Sequence, residues 1–106
     1  MYVIIANRKY KVNYMNTFYK RFKGLMLRKD KITDIYLFPR CSSIHTYFMR
    51  QNIDVCILDK NYNVVFKKEN LKPNKILIKK GCYTLEMPLG TAKHIKMRDN
   101  IKISTD

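Results

Sequence analysis

The reactive side chains of this chain are concentrated between Cys41 and Asp54. Cys41 and His45 stand four residues apart, Thr46 follows directly, and Arg50 and Asp54 close the stretch. Three chemistries can be built from these types. A thiol and an imidazole in contact make a nucleophile pair if a third group orients the base, and Asp54 is the nearby carboxylate. Arg50 offers a planar fork that grips a carboxylate or phosphate through two parallel bonds. His45 can hydrogen-bond a ligand or exchange a proton near neutral pH. Asp54 could fix either Arg50 or His45. A purely structural arrangement competes with all three. In it Arg50 and Asp54 form a partly buried ion pair at a bend and His45 is satisfied by backbone, because buried polar groups need partners whether or not a ligand exists.

Glu86 is the other acid of interest. It lies between Leu85 and Met87 in an otherwise apolar run, either on a solvent face or as the buried carboxylate of the same pocket. His94 reads as a surface or cap residue. No close-set cluster of His, Cys and carboxylate has the spacing of a zinc site, so neither a metal nor a cofactor is expected. There is no glycine-rich phosphate loop and no Gly-x-Ser-x-Gly elbow. Cys41 falls in a loop, and cysteine often serves as a small hydrophobe. No catalytic residue is assigned on this basis, and a hydrolase using Cys41 or His45 stands as an alternative to a non-enzymatic role.

Short strands must position these groups. Tyr2 to Ala6 and Lys9 to Tyr14 read as a hairpin turning at Asn7-Arg8. Asn16-Thr17 can cap a helix from Phe18 to about Leu27, whose stripe is Phe18, Phe22, Leu25 and Met26. Asp34 to Phe38 is a strand stopped by Pro39. Ile44 to Met49 and Ile53 to Leu58 carry little polar content, so both are expected to be central. In the first of these, His45, Tyr47 and Met49 share one face and Ile44, Thr46 and Phe48 the other. Asp59 to Asn63 is a turn cluster, and Val64 to Lys68 returns as a hairpin arm. A short strand is expected at Ile76 to Ile78, further strands at Cys82 to Met87 and Ile101 to Ser104, and one helical turn near Gly90 to His94. The fold class that follows is mainly β (α+β). It would be a compact curled sheet or small β-barrel of about seven or eight short strands with one or two short helices.

At 106 residues the chain is expected to form a single domain. No apolar run is long enough for a membrane span, and the apolar start is broken by Asn7, Arg8 and Lys9. Three scattered cysteines make no disulfide framework, and reduced thiols in the cytoplasm are expected. Lys and Arg number 22 against 8 Asp and Glu, a net charge of +14. Such a field attracts nucleic acid, acidic lipid surfaces, acidic partners or phosphorylated ligands. The basic residues are spread along the chain, so the charge by itself supports only weak, non-specific nucleic-acid binding.

Four segments, in order and spanning nearly the whole chain, resemble the Domain of Unknown Function 192 family. They are Arg21-Phe22-Lys23-Gly24-Leu25-Met26-Leu27-Arg28, Cys41-Ser42-Ser43-Ile44-His45-Thr46-Tyr47-Phe48-Met49-Arg50, Ile53-Asp54-Val55-Cys56-Ile57-Leu58-Asp59 and Thr84-Leu85-Glu86-Met87-Pro88-Leu89-Gly90-Thr91-Ala92. The chain departs from the family at Asn52, where a proline is usual, and at Arg98-Asp99, where a Gly-Asp turn is usual. The resemblance implies a small mixed-β fold, used alone or as a secreted domain. It implies no accepted reaction, cofactor or ligand. The expected role is a non-catalytic binding module with a polar pocket for an anionic small molecule or a peptide. Its candidate residues are His45, Thr46, Arg50, Asp54, Glu86 and Cys41. A nucleic-acid-associated basic protein is the second alternative beside the hydrolase.

Overall fold

A computed structural model of the chain describes residues 1–15, 31–39, 43–45 and 51–105, with 43–45 described by backbone alone. Among the described residues eight strands follow in chain order: β1 (Tyr2–Ile5), β2 (Arg8–Tyr14), β3 (Ile35–Pro39), β4 (Ser43–His45), β5 (Ile53–Leu58), β6 (Val64–Leu71), β7 (Ile76–Ile78) and β8 (Tyr83–Met87). Six of them form one sheet in the order β1-β2-β3-β8-β5-β6, and β4 pairs with β7 in a separate ribbon. A 3-10 turn spans Ala92–His94. The protein is mainly β, an open curled sheet.

Alternation sets the register of the first hairpin. Val3, Ile5, Tyr10 and Val12 are buried on one face, which requires Ile5 opposite Arg8. A one-residue slip of either strand would turn its buried pair outward. The loop residues are therefore Ala6 and Asn7, with φ of 50° and 65°. Two positive φ values match the right-handed twist of the strands. The turn thus sits one residue earlier than Asn7-Arg8, because burial of the β1 and β2 side chains outweighs the poor fit of alanine to positive φ. β2 and β3 pair in parallel, so the chain must cross over between them. The expected helix from Phe18 to Leu27 belongs to that stretch and lies outside the described residues.

β5 is buried along all six residues. Its even positions, Asp54, Cys56 and Leu58, face the larger core with Leu37, Leu85 and Met87, while Ile53, Val55 and Ile57 face a smaller core with Tyr36, Phe38 and Leu71. A strand covered on both faces reads as an unbroken apolar run. The central position expected for Ile44 to Met49 is corrected for its described part. β4 lies outside the main sheet, because β8 and β6 occupy both edges of β5, and β2 and β8 both edges of β3. Leu77 of β7 packs against the smaller core, which places the β4-β7 ribbon on that side of the sheet.

The end of the chain laces the two edge strands together. Val64 donates to Asp99 O at 2.8 Å and Arg98 to Val64 O at 2.8 Å. Further on, Tyr2 and Ser104 exchange backbone bonds of 2.9 and 2.8 Å. The expected strand from Ile101 to Ser104 is therefore an extended strap, with single bridges at Asn100 and Ser104. It covers the open side of the larger core with Ile95 and Ile101.

Gly81 marks a close approach. A Cβ there would collide with the Ile57 side chain and lie 3.2 Å from Leu58 O. Ile57 is 1% exposed and cannot retreat. Gly81→Ala is therefore expected to cost roughly 1–3 kcal/mol. Urea unfolding should show a lower midpoint at unchanged slope.

Candidate functional site

Two buried acids lie near the middle of the sheet. Asp54 is 1% exposed and projects from β5 into the larger-core face. Its Oδ1 accepts the Asn70 amide at 2.9 Å. Its Oδ2 accepts the Gly90 and Ala92 amides, each at 2.9 Å. The need for this clamp is local. The β5-β6 register pairs Ile53 with Leu71 and Val55 with Lys68, so Glu69 and Asn70 together oppose Asp54 alone. That is a β-bulge, which leaves a backbone group without a ladder partner. Asn70 sits there at φ 58°, and the Asp54 carboxylate supplies the missing acceptor. The same carboxylate pins the turn at Gly90, whose φ of 94° suits glycine.

Glu86 points the other way. On β8 it faces Tyr36 of β3 and Val55 of β5, both in the smaller core. It is 8% exposed. Burial disfavours the charged form and pushes its pKa up from 4.5 to about 8. At neutral pH it is therefore mainly a protonated acid. The register extends this into a row across the sheet: Asn13, Tyr36, Glu86, Val55 and Lys68. At one end Asn13 Nδ2 donates to Asp34 Oδ2 at 3.0 Å. A shallow cleft of about 580 Å³ opens there, lined by Val12, Asn13, Tyr14, Asp34 and Tyr36 among others.

Asp54 and Glu86 therefore do not share a pocket; the sheet separates them. The backbone of His45 runs in β4 opposite Ile76, on the Glu86 side. Cys41, Thr46 and Arg50 lie outside the described residues, as does any pairing of Arg50. Of the two positions open for Glu86, the structure has the buried one. Sequence reasoning passed over Tyr36 and Asn13. Both sit in ordinary strand runs, and only the register reveals them as neighbours of Glu86.

The remaining candidates separate clearly. Cys56 is fully buried, and burial pushes its thiol up to about 12, so it packs as a small hydrophobe. Lys67, opposite it in register, sends its ammonium to Ala92 O at 3.1 Å and Ile95 O at 2.8 Å. His94 is exposed in the 3-10 turn. Among the described residues no three His, Cys, Asp or Glu side chains gather as a metal site.

The chain belongs to the Domain of Unknown Function 192 family, described as an uncharacterized ACR, whose profile it matches over residues 2–105. Relatives carry the equally uninformative name UPF0127 protein. The one from Pyrococcus horikoshii is 37% identical over 98 residues, covering 87% of this chain and 84% of the relative. The one from Thermococcus sibiricus is 35% identical over 92 residues but longer, and is matched over 59% of its length. A crystal structure from Novosphingobium aromaticivorans, of a protein of unknown function, has the same fold. Its TM-score is 0.79 at 19% identity, with 96% of this chain and 82% of that one covered.

Both acids yield expectations for stability. Asp54→Ala removes the acceptor of three backbone amides, of which only the Ala92 bond is fully buried, and should cost about 1–3 kcal/mol, with Asp54→Asn recovering part through its remaining carbonyl. Chemical denaturation of both variants measures this. Glu86 acts with the opposite sign. Between pH 4.5 and about 8 the folded state holds a proton that the unfolded state has lost, so stability falls as pH rises through that window. Glu86→Gln should flatten this loss, which runs on the order of 1 kcal/mol per pH unit. Urea midpoints at pH 5 and pH 8.5 should agree with wild type at the first and exceed it at the second.

Proposed function

We propose that this protein is a non-catalytic binding domain whose ligand, a small anion or a peptide segment, sits on the Glu86 face of the sheet. The observation that carries this reading is the Glu86 carboxyl, 8% exposed and held mainly protonated at neutral pH by its burial on this face of the sheet. A protonated acid can donate to a ligand oxygen that an ionised glutamate would repel. Arg50 is the proposed contact to the ligand's charge, with His45, Thr46 and Cys41 in the same stretch of chain. β4 carries the His45 backbone to this side of the sheet. Asp54 supports the site from behind by holding the bulge. A hydrolase has less support. The nearby carboxylate that would orient a catalytic base already spends both oxygens on backbone amides.

Thermal-shift titrations with acetate, succinate, citrate and inorganic phosphate near pH 6.5 test the reading. At least one anion should raise the melting temperature, and Arg50→Ala and Glu86→Ala should abolish the shift. Wild type should lose the shift above about pH 8 as Glu86 ionises, whereas Glu86→Gln should keep it. A melting temperature unmoved by all four anions, or a shift indifferent to Arg50→Ala and Glu86→Ala, contradicts it.

A further inference from the structure

The segment from Asn70 to Cys82 combines features that the Glu86 face does not use. β7 presents Ile76 and Ile78, 57% and 72% exposed, while Leu77 between them turns inward to the smaller core. Strand alternation therefore places both isoleucines on one outward face. Lys72, Lys75, Lys79 and Lys80 flank them, all exposed, and no acidic residue occurs from Asn70 to Cys82. The base of the projection is anchored. Leu77 is packed, and the Lys79 ammonium lies 4.8 Å from the centroid of the Phe66 ring on β6. Two exposed β-branched aliphatics on one face, flanked by ammonium groups, fit a partner that offers both an apolar phase and negative charge.

We propose that the β7 tip docks this protein on an anionic lipid surface, Ile76 and Ile78 entering the headgroup boundary while the lysines meet the lipid phosphates and carboxylates. A bilayer with acidic headgroups supplies both components, alkyl chains directly beneath fixed negative charge. A nucleic acid would satisfy the lysines but leave the isoleucines in water, and the segment contains no aromatic ring on which a base could stack. The protein's net charge of +14 draws it toward the same surface from a distance. The docking does not use the Glu86 carboxyl, so it stands or falls separately from anion binding there.

Vesicle flotation tests it with the full chain. Vesicles are phosphatidylcholine alone or phosphatidylcholine with about a third phosphatidylserine, in about 0.1 M salt so that distant charges are screened. Wild type should float with the acidic vesicles and stay in solution with the neutral ones. Ile76→Ser/Ile78→Ser and Lys80→Glu should each weaken the binding by about tenfold or more. All these positions are exposed, so both variants should melt as wild type does. Circular dichroism checks this, and Glu86→Gln, which leaves the tip intact, should float normally. Wild type remaining in solution with acidic vesicles overturns the proposal. So does an isoleucine variant that floats as well as wild type. Displacement from acidic vesicles by a single-stranded oligonucleotide that binds the isoleucine variant equally well would assign the basic surface to nucleic acid instead.

Discussion

One carboxylate holds three separate stretches of this chain in place. Asp54 on β5 receives amides from Asn70 at the bulge of β6 and from Gly90 and Ala92 after β8. Each of those backbone groups would otherwise lose this acceptor, the Ala92 amide in a fully buried position. The bulge lets β6 bend at its far end. The pinned turn sends the chain into the 3-10 segment, which Lys67 caps from β6. From there the strap of residues 98–104 reaches across to Val64 and Tyr2 and ties the edges of the curl. Register, curl and closure of the larger core all pass through this one side chain.

The same strand determines what the opposite face can do. With Asp54, Cys56 and Leu58 committed to one core, Ile53, Val55 and Ile57 are committed to the other. β8 and β3 follow in register, so Glu86 and Tyr36 come to lie side by side on the second face. The two acids owe their different characters to this separation. Asp54 is solvated by amides that replace water. Glu86 is surrounded by apolar side chains that do not, and it keeps its proton at neutral pH.

Much of the fold was legible in the residues. The bounds of β5 and β7, Ile53–Leu58 and Ile76–Ile78, follow from aliphatic runs stopped by turn residues. The Asp59 to Asn63 turn follows from side chains that bond their own backbone, and Asp59 indeed accepts the Asn61 and Asn63 amides. Pairing was not legible. The partners of Asp54 lie 16, 36 and 38 residues away, and no local pattern marks them. An acid two places from a buried cysteine looks the same whether it meets an arginine, a ligand or a backbone amide. Glu86 between two apolar residues fits both an outward and an inward position. Only the pairing with Tyr36 and Val55 decides it, and pairing depends on the whole sheet. β4 was misplaced for a related reason. An apolar run fits a ribbon laid against a core as well as it fits a central strand.

The claim on which this account rests is that the sheet sets Glu86 apart as a buried, protonated acid. A carboxyl-carbon NMR titration of selectively labelled glutamate measures it directly. Glu86 should titrate near pH 8. A Glu86 midpoint close to 4.5 would mean that the carboxyl is solvated or charge-paired, and would contradict the account.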